Sequence, residues 1–110
     1  MWNLKTSIAA VLALLVSVTA HAADLKIGLV LPITGPFASH GKQITNGIKL
    51  YLAQNGDTIA GRKVQLIVKD DAPGTAGDVS KRHAQELVIQ DNVDILAGFS
   101  LTPEAFASRR

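Results

Sequence analysis

Ile27-Gly28-Leu29-Val30-Leu31-Pro32-Ile33-Thr34-Gly35-Pro36, followed by Phe37-Ala38-Ser39-His40-Gly41, is the stretch that decides how this chain folds. Ile27 to Leu31 runs through apolar residues and glycine without a polar break, which is how a strand buried on both faces reads. Pro32 has no N–H for a ladder and Gly35-Pro36 is turn chemistry, so the strand stops there. A helical pattern begins straight after Gly41. A buried strand, a polar glycine-bearing loop and a helix open an α/β unit, and in open α/β sheets such loops lie where ligands bind.

The unit repeats downstream. Ile44, Gly47, Ile48, Tyr51, Leu52 and Asn55 recur at the spacing of one buried helical stripe, with Lys42, Gln43, Thr45, Asn46, Lys49 and Gln54 on the wet side. Asn55-Gly56 stops that helix. A second strand is expected over 63–70, where Val64, Leu66 and Val68 alternate with Gln65, Ile67 and Lys69 as in a wetter edge strand. Asp70-Asp71-Ala72-Pro73-Gly74 reads as a loop, and Thr75 with Asp78 as a helix-start capping pair. The helix that follows places Ala76, Val79, Ser80, His83, Ala84, Leu87 and Val88 on one face and ends near Asp91-Asn92. A third strand, apolar and continuous like the first, covers Asp94 to Gly98, and a last helix starts around Thr102-Pro103. The connections are too short for anything but parallel crossovers. The fold class is therefore α/β, a parallel sheet of order 2-1-3 with flanking helices. The loops 34–41 and 99–102 then border one crevice at the topological switch point.

Ahead of the fold, Lys5, the apolar run Ile8 to Val18 and Ala20-His21-Ala22 compose a cleavable signal peptide, residues 1–22, with cleavage expected between Ala22 and Ala23. The apolar run is about half the roughly 20 residues a membrane span needs, so direct membrane insertion is not expected after cleavage. The chain has no cysteine, which excludes disulfides, cysteine–metal sites and a lipidated cysteine at the cleavage point. A soluble exported protein of the periplasm is the expected result, with a secreted fate open. Eleven Lys plus Arg stand against nine Asp plus Glu, and Lys5, Arg109 and Arg110 sit at the ends. No basic face interleaved with aromatics results, so nucleic acid is not an expected partner.

Candidate chemistry gathers after the third strand. Ser100 and Thr102 offer hydroxyls beside the N–H groups of a helix start, where an anion gains about 0.3–1 kcal/mol. The same hydroxyls could simply cap the helix, and the two roles can coexist. His40 either lines the crevice or stands exposed in its loop. Asp70-Asp71 at a strand end suggests a phosphoacceptor or a magnesium site, but the first and third strands end in Pro32 and Phe99 and supply no further oxygen ligands, so a solvated turn is the expectation. His83 reads as a partly buried packing residue without a carboxylate or second histidine at ligand spacing. No triad, acid–base pair, phosphate-binding glycine motif, metal site or cofactor emerges, and no enzyme is expected.

The run from Ile27 to Pro36 with Gly41 and Asn46-Gly47, then Asp70-Asp71, then Ala97-Gly98-Phe99-Ser100-Leu101-Thr102-Pro103, resembles the branched-chain amino-acid (Leu/Ile/Val)-binding proteins, the substrate-binding components of ABC importers with the type I periplasmic binding fold. The resemblance spans Asp24 to Ala107. It implies a periplasmic protein that delivers an amino acid to a membrane permease. It also implies that residues 23–110 are the first part of lobe 1, expected to bind amino acids negligibly alone. Ser100, Leu101 and Thr102 match the positions where the family holds the ligand's carboxylate with hydroxyls and backbone amides. His40 takes the place of a first-loop aromatic that lines the cleft. Two other functions remain beside this one: a ligand-sensing domain of the same fold, and a flavodoxin- or receiver-like enzyme resting on Asp70-Asp71.

Overall fold

A computed structural model describes residues 22–71 and 77–109. Residues 1–21 of the expected signal peptide, 72–74 of the expected loop, Thr75 of the expected capping pair and Ala76 of the second helical stripe lie outside the described residues. Strand β1 (Leu25–Leu31) leads to helix α1 (Ala38–Asn55), the short strand β2 (Thr58–Ile59), β3 (Arg62–Asp70), α2 (Asp78–Ile89), β4 (Ile95–Gly98) and α3 (Thr102–Ser108).

The sheet order is β2-β3-β1-β4. Its three parallel strands follow the expected order, with Leu29 of β1 opposite Val68 of β3 and Ala97 of β4. The addition is β2, which pairs antiparallel with β3 at Thr58↔Lys63 and Ile59↔Arg62, so β3, expected at the sheet's edge, has a neighbour on both sides. Ala60 (φ 50°) and Gly61 (φ 77°) turn this hairpin with two left-handed residues, a conformation whose usual sequence is Asn-Gly. Ala-Gly ahead of a two-residue strand carries no such signal, so the sequence reading passed over it.

A Cβ built on Gly28 would meet the side chains of Leu87 and Val93 at 3.0 Å, which puts α2 on the face of β1 that carries Gly28 and Val30. Leu29 points the other way, and its neighbour Val68 borders a groove with Thr45 and Lys49, so α1 lies on the opposite face. Leu29, Val30 and Leu31 are buried between the two layers, with Ala84 and Leu87 closing the α2 side. The base of the sheet is tied by Asp94, which accepts the Lys26 N–H at 2.9 Å and an Arg62 guanidinium N–H at 2.8 Å.

Three expectations about packing need correction. The inward side of α1 carries Gly41, Thr45, Ile48 and Leu52, whereas Ile44, Gly47, Tyr51 (60% exposed) and Asn55 face out. Two adjacent stripes share Ile48 and Leu52, and periodicity cannot choose between them; contact between Gly41 and the end of β1 does. Val88 of α2 is likewise exposed. Finally β4 is less buried than β1, because it is the sheet's other edge, and Ile95 is 47% exposed.

Candidate functional site

The first loop is held by Asp70, the last residue of β3. Its Oδ1 accepts the Ile33 N–H at 2.9 Å and the Thr34 N–H at 3.4 Å, and its Oδ2 accepts the Thr34 hydroxyl at 2.6 Å. The side chain expected in a solvated turn is instead a half-buried clasp between two strand ends. Helix α1 then starts at Ala38, three residues before Gly41 and earlier than expected. Gly41 sits inside its first turn because the backbone passes against Pro32: a Cβ there would lie 2.1 Å from the Pro32 carbonyl oxygen. This approach fixes where His40, one residue earlier, stands. Its ring stacks on Phe37 with centroids 6.0 Å apart and planes at 18°.

The second loop leaves β4 through two left-handed residues, Gly98 (φ 109°) and Phe99 (φ 65°). Gly98 tolerates this at no steric cost, whereas Phe99 carries strain of the kind that collects at binding sites. The bend is pinned by the Phe99 N–H, which donates to the Val30 carbonyl at 2.8 Å. Ser100, Leu101 and Thr102 follow, all exposed.

These loops meet. His40 and Ser100 border one groove of about 290 Å³ with Gln43 and Ile44. Ser100 is shared with a second groove of about 450 Å³, where it joins Thr102, Phe99, Ala105, Phe106 and Arg109. Leu101 borders neither groove, though its side chain is exposed beside them. A third groove of about 400 Å³ lies between α1 and β3, lined by Lys42, Lys49, Asn46 and neighbours, and contains none of the expected residues. Neither expected hydroxyl caps α3. Its N-cap is Leu101, whose N–H donates to Glu104 Oε2 at 3.1 Å, so the cap comes from a glutamate three residues on. That bond leaves the Ser100 and Thr102 hydroxyls for other partners and takes the Leu101 amide out of use.

Behind the loop lies a feature the sequence reading missed. Asp71 is 2% exposed and Glu104 7% exposed. Burial, with the Glu104 carboxylate facing it, pushes Asp71 up to about 6. Among the described residues, neither Asp71 oxygen has a hydrogen-bond donor. The signal available in the sequence was Glu104 at the third helical position after Leu101; its meeting with Asp71 required the tertiary structure. His83 is half-buried as expected, but it does have a carboxylate within reach, Glu86 Oε2 at 3.1 Å, and that contact with His83 lowers Glu86 below its usual range. Among the described residues no group of three or more acidic or histidine side chains is arranged to hold a metal. No helix among them is long and apolar enough to cross a membrane.

Comparison with known proteins extends this geometry. A sequence profile of the family described as periplasmic binding protein matches residues 24–110. A Leu/Ile/Val-binding protein homolog of Brucella abortus (strain 2308) is 40% identical over 88 residues, covering 80% of this chain and 22% of the relative. A solute binding protein of an ABC transporter from Rhodopseudomonas palustris BisB5, solved with 3,4-dihydroxy benzoic acid, is 51% identical with a TM-score of 0.72, covering 78% of this chain and 23% of that one. Another from Rhodopseudomonas palustris HaA2, solved with p-hydroxybenzoic acid, is 33% identical with a TM-score of 0.73, over 79% of this chain and 23% of that one. The chain spans about a fifth to a quarter of the length of the relatives it matches.

Proposed function

Because this chain belongs to the periplasmic binding protein family, we propose that it is part of the solute-binding component of an ABC importer and grips the carboxylate of a small solute between the loop after β4 and the start of α1. The family binds solutes and is not one of enzymes. The observation that carries the site is the groove in which His40 and Ser100, 60 positions apart in sequence, stand together at the carboxyl ends of β1 and β4. In this reading Ser100 and Thr102 donate their hydroxyls to the carboxylate, His40 forms a ring-shaped wall and Leu101 an apolar rim. Hydrogen bonds to a charged group are worth about 1.5–3 kcal/mol each, enough for two hydroxyls to orient a small acid. Residues 1–22 serve as the cleaved export signal, residues 23–110 form the first part of the N-terminal lobe, and a membrane permease receives the loaded protein.

Two solute classes fit a carboxylate grip. Aromatic acids are favoured by the 51% identity to a protein solved with 3,4-dihydroxy benzoic acid. Branched-chain amino acids are supported by the 40% identical Leu/Ile/Val-binding homolog. Isothermal calorimetry on the full-length protein with 3,4-dihydroxybenzoate, 4-hydroxybenzoate and leucine decides. One of these acids should bind saturably, its carboxamide should not, and Ser100→Ala should weaken the acid about tenfold or more. Binding of the amide as tightly as the acid, or no effect of Ser100→Ala and Thr102→Val together, refutes the carboxylate grip.

A further inference from the structure

Two buried acids, Asp71 and Glu104, lie behind the loop. Asp71 ends the run from β3 just past Asp70, and its backbone N–H donates to the Leu31 carbonyl at 3.2 Å, so its position is set by the sheet. Glu104 lies in the first turn of α3 and holds the Leu101 N–H. Both side chains are more than nine-tenths buried. Two carboxylates facing each other are both acceptors, and among the described residues neither Asp71 oxygen has a donor. A proton on one of them converts that opposition into a short, strong O–H···O bond. The charged groups that bear on Asp71 are Glu104 from α3 and Asp70 from its own strand, and no cation is among them. From the neighbouring strand, β1 supplies Leu31, which is not titratable.

We infer that Asp71 is a positioning residue for the loop after β4: carrying a proton, it donates to the Glu104 carboxylate, which accepts the Leu101 amide, and this relay locks the start of α3 to the end of β3. Ionisation of Asp71 releases the proton to solvent and leaves two anions in contact. Glu104 is then driven from Asp71, and the Leu101 amide loses its fixed partner. The raised value of Asp71, about 6, places that change near neutral pH and not in acid. Ser100 and Thr102 flank Leu101, so their geometry is tight in mild acid and looser in mild alkali. The relay stands without the solute reading; only its use in gripping a carboxylate rests on it.

Amide exchange of the full chain without solute tests the relay. Corrected for intrinsic exchange, protection of the Leu101 amide should fall by at least about tenfold between about pH 5 and pH 8. In Asp71→Asn, whose side-chain amide donates at every pH, protection should stay within about twofold over that range. Glu104→Ala should lose the protection at both ends. If Asp71→Asn does not fold, a carbon-13 titration of the wild-type Asp71 carboxyl gives the same decision, with a midpoint near about 6 expected and one near about 4 overturning the inference. A Leu101 profile in Asp71→Asn that still follows the wild type also overturns it. Failure of the relay shows in these solute-free measurements, whereas failure of the carboxylate grip shows only in the calorimetry.

Discussion

Two glycines in α1 should respond to alanine with opposite signs. Helix propensity alone makes Gly→Ala stabilising by about 1 kcal/mol at either site. At Gly47 nothing lies within 4 Å of the added Cβ, so propensity acts unopposed and Gly47→Ala should gain about 0.5–1 kcal/mol. At Gly41 the Cβ lands 2.1 Å from the Pro32 oxygen and 2.8 Å from its carbonyl carbon. Non-bonded contact becomes favourable only near about 3.5 Å, so the first turn of α1 or the end of β1 has to move by about 1 Å. No rotamer change relieves a clash with backbone, and overpacking of this kind costs about 1–3 kcal/mol. Net of propensity, Gly41→Ala should lose about 1 kcal/mol and at most about 2 kcal/mol. With a slope of about 1 kcal/mol per molar urea, the unfolding midpoints should move in opposite directions by about 1 M. The same shift displaces His40, so Gly41→Ala should also weaken solute binding while Gly47→Ala leaves it alone. If Gly41→Ala is as stable as the wild type, the close approach that orients α1 is not what holds the first loop, and the reasoning fails.

Thr34→Val removes the 2.6 Å hydroxyl bond to Asp70 at nearly constant shape and should cost about 1–2 kcal/mol, read as a lower urea midpoint, with little further loss when added to Asp70→Asn. Ala60→Asn should stabilise by about 1 kcal/mol, because Ala60 occupies a left-handed turn position that asparagine tolerates. Asp71 binds its proton more tightly folded, near about 6, than at its ordinary 3.8, so the stability it lends is complete in acid and lost as pH rises through 6; at most about 3 kcal/mol is at stake, and urea midpoints for Asp71→Asn should lack that fall. Asp94 behaves in the opposite way. The Lys26 N–H, then Arg62, hold its carboxyl below the usual range, so its contribution is present at neutral pH and fades as pH falls; Asp94→Asn should therefore destabilise at pH 7 and converge with the wild type in acid.

What the sequence by itself determined is what local chemistry dictates. An unbroken apolar run ending at Pro32 can only be an interior strand and short connections between strands parallel crossovers, whereas the wetter alternation over 63–70 reads as an edge that β2 in fact covers at Arg62 and Lys63. These properties of neighbouring residues placed the loops 34–41 and 99–102 on one crevice, and His40 and Ser100 do share a groove there. The tertiary structure alone decided whatever depends on residues far apart in the chain. Ile48 belongs to two helical stripes, and only the passage of Gly41 against Pro32 selects one. Asp70 reads as turn chemistry until Ile33 and Thr34 arrive 37 and 36 residues away to donate to it. Asp71 and Glu104 look like surface acids in any local window, and become a buried pair because the end of β3 and the start of α3 lie side by side. Local patterns report a residue's own preference for water or apolar surroundings; they carry no record of which partner the fold will bring to it.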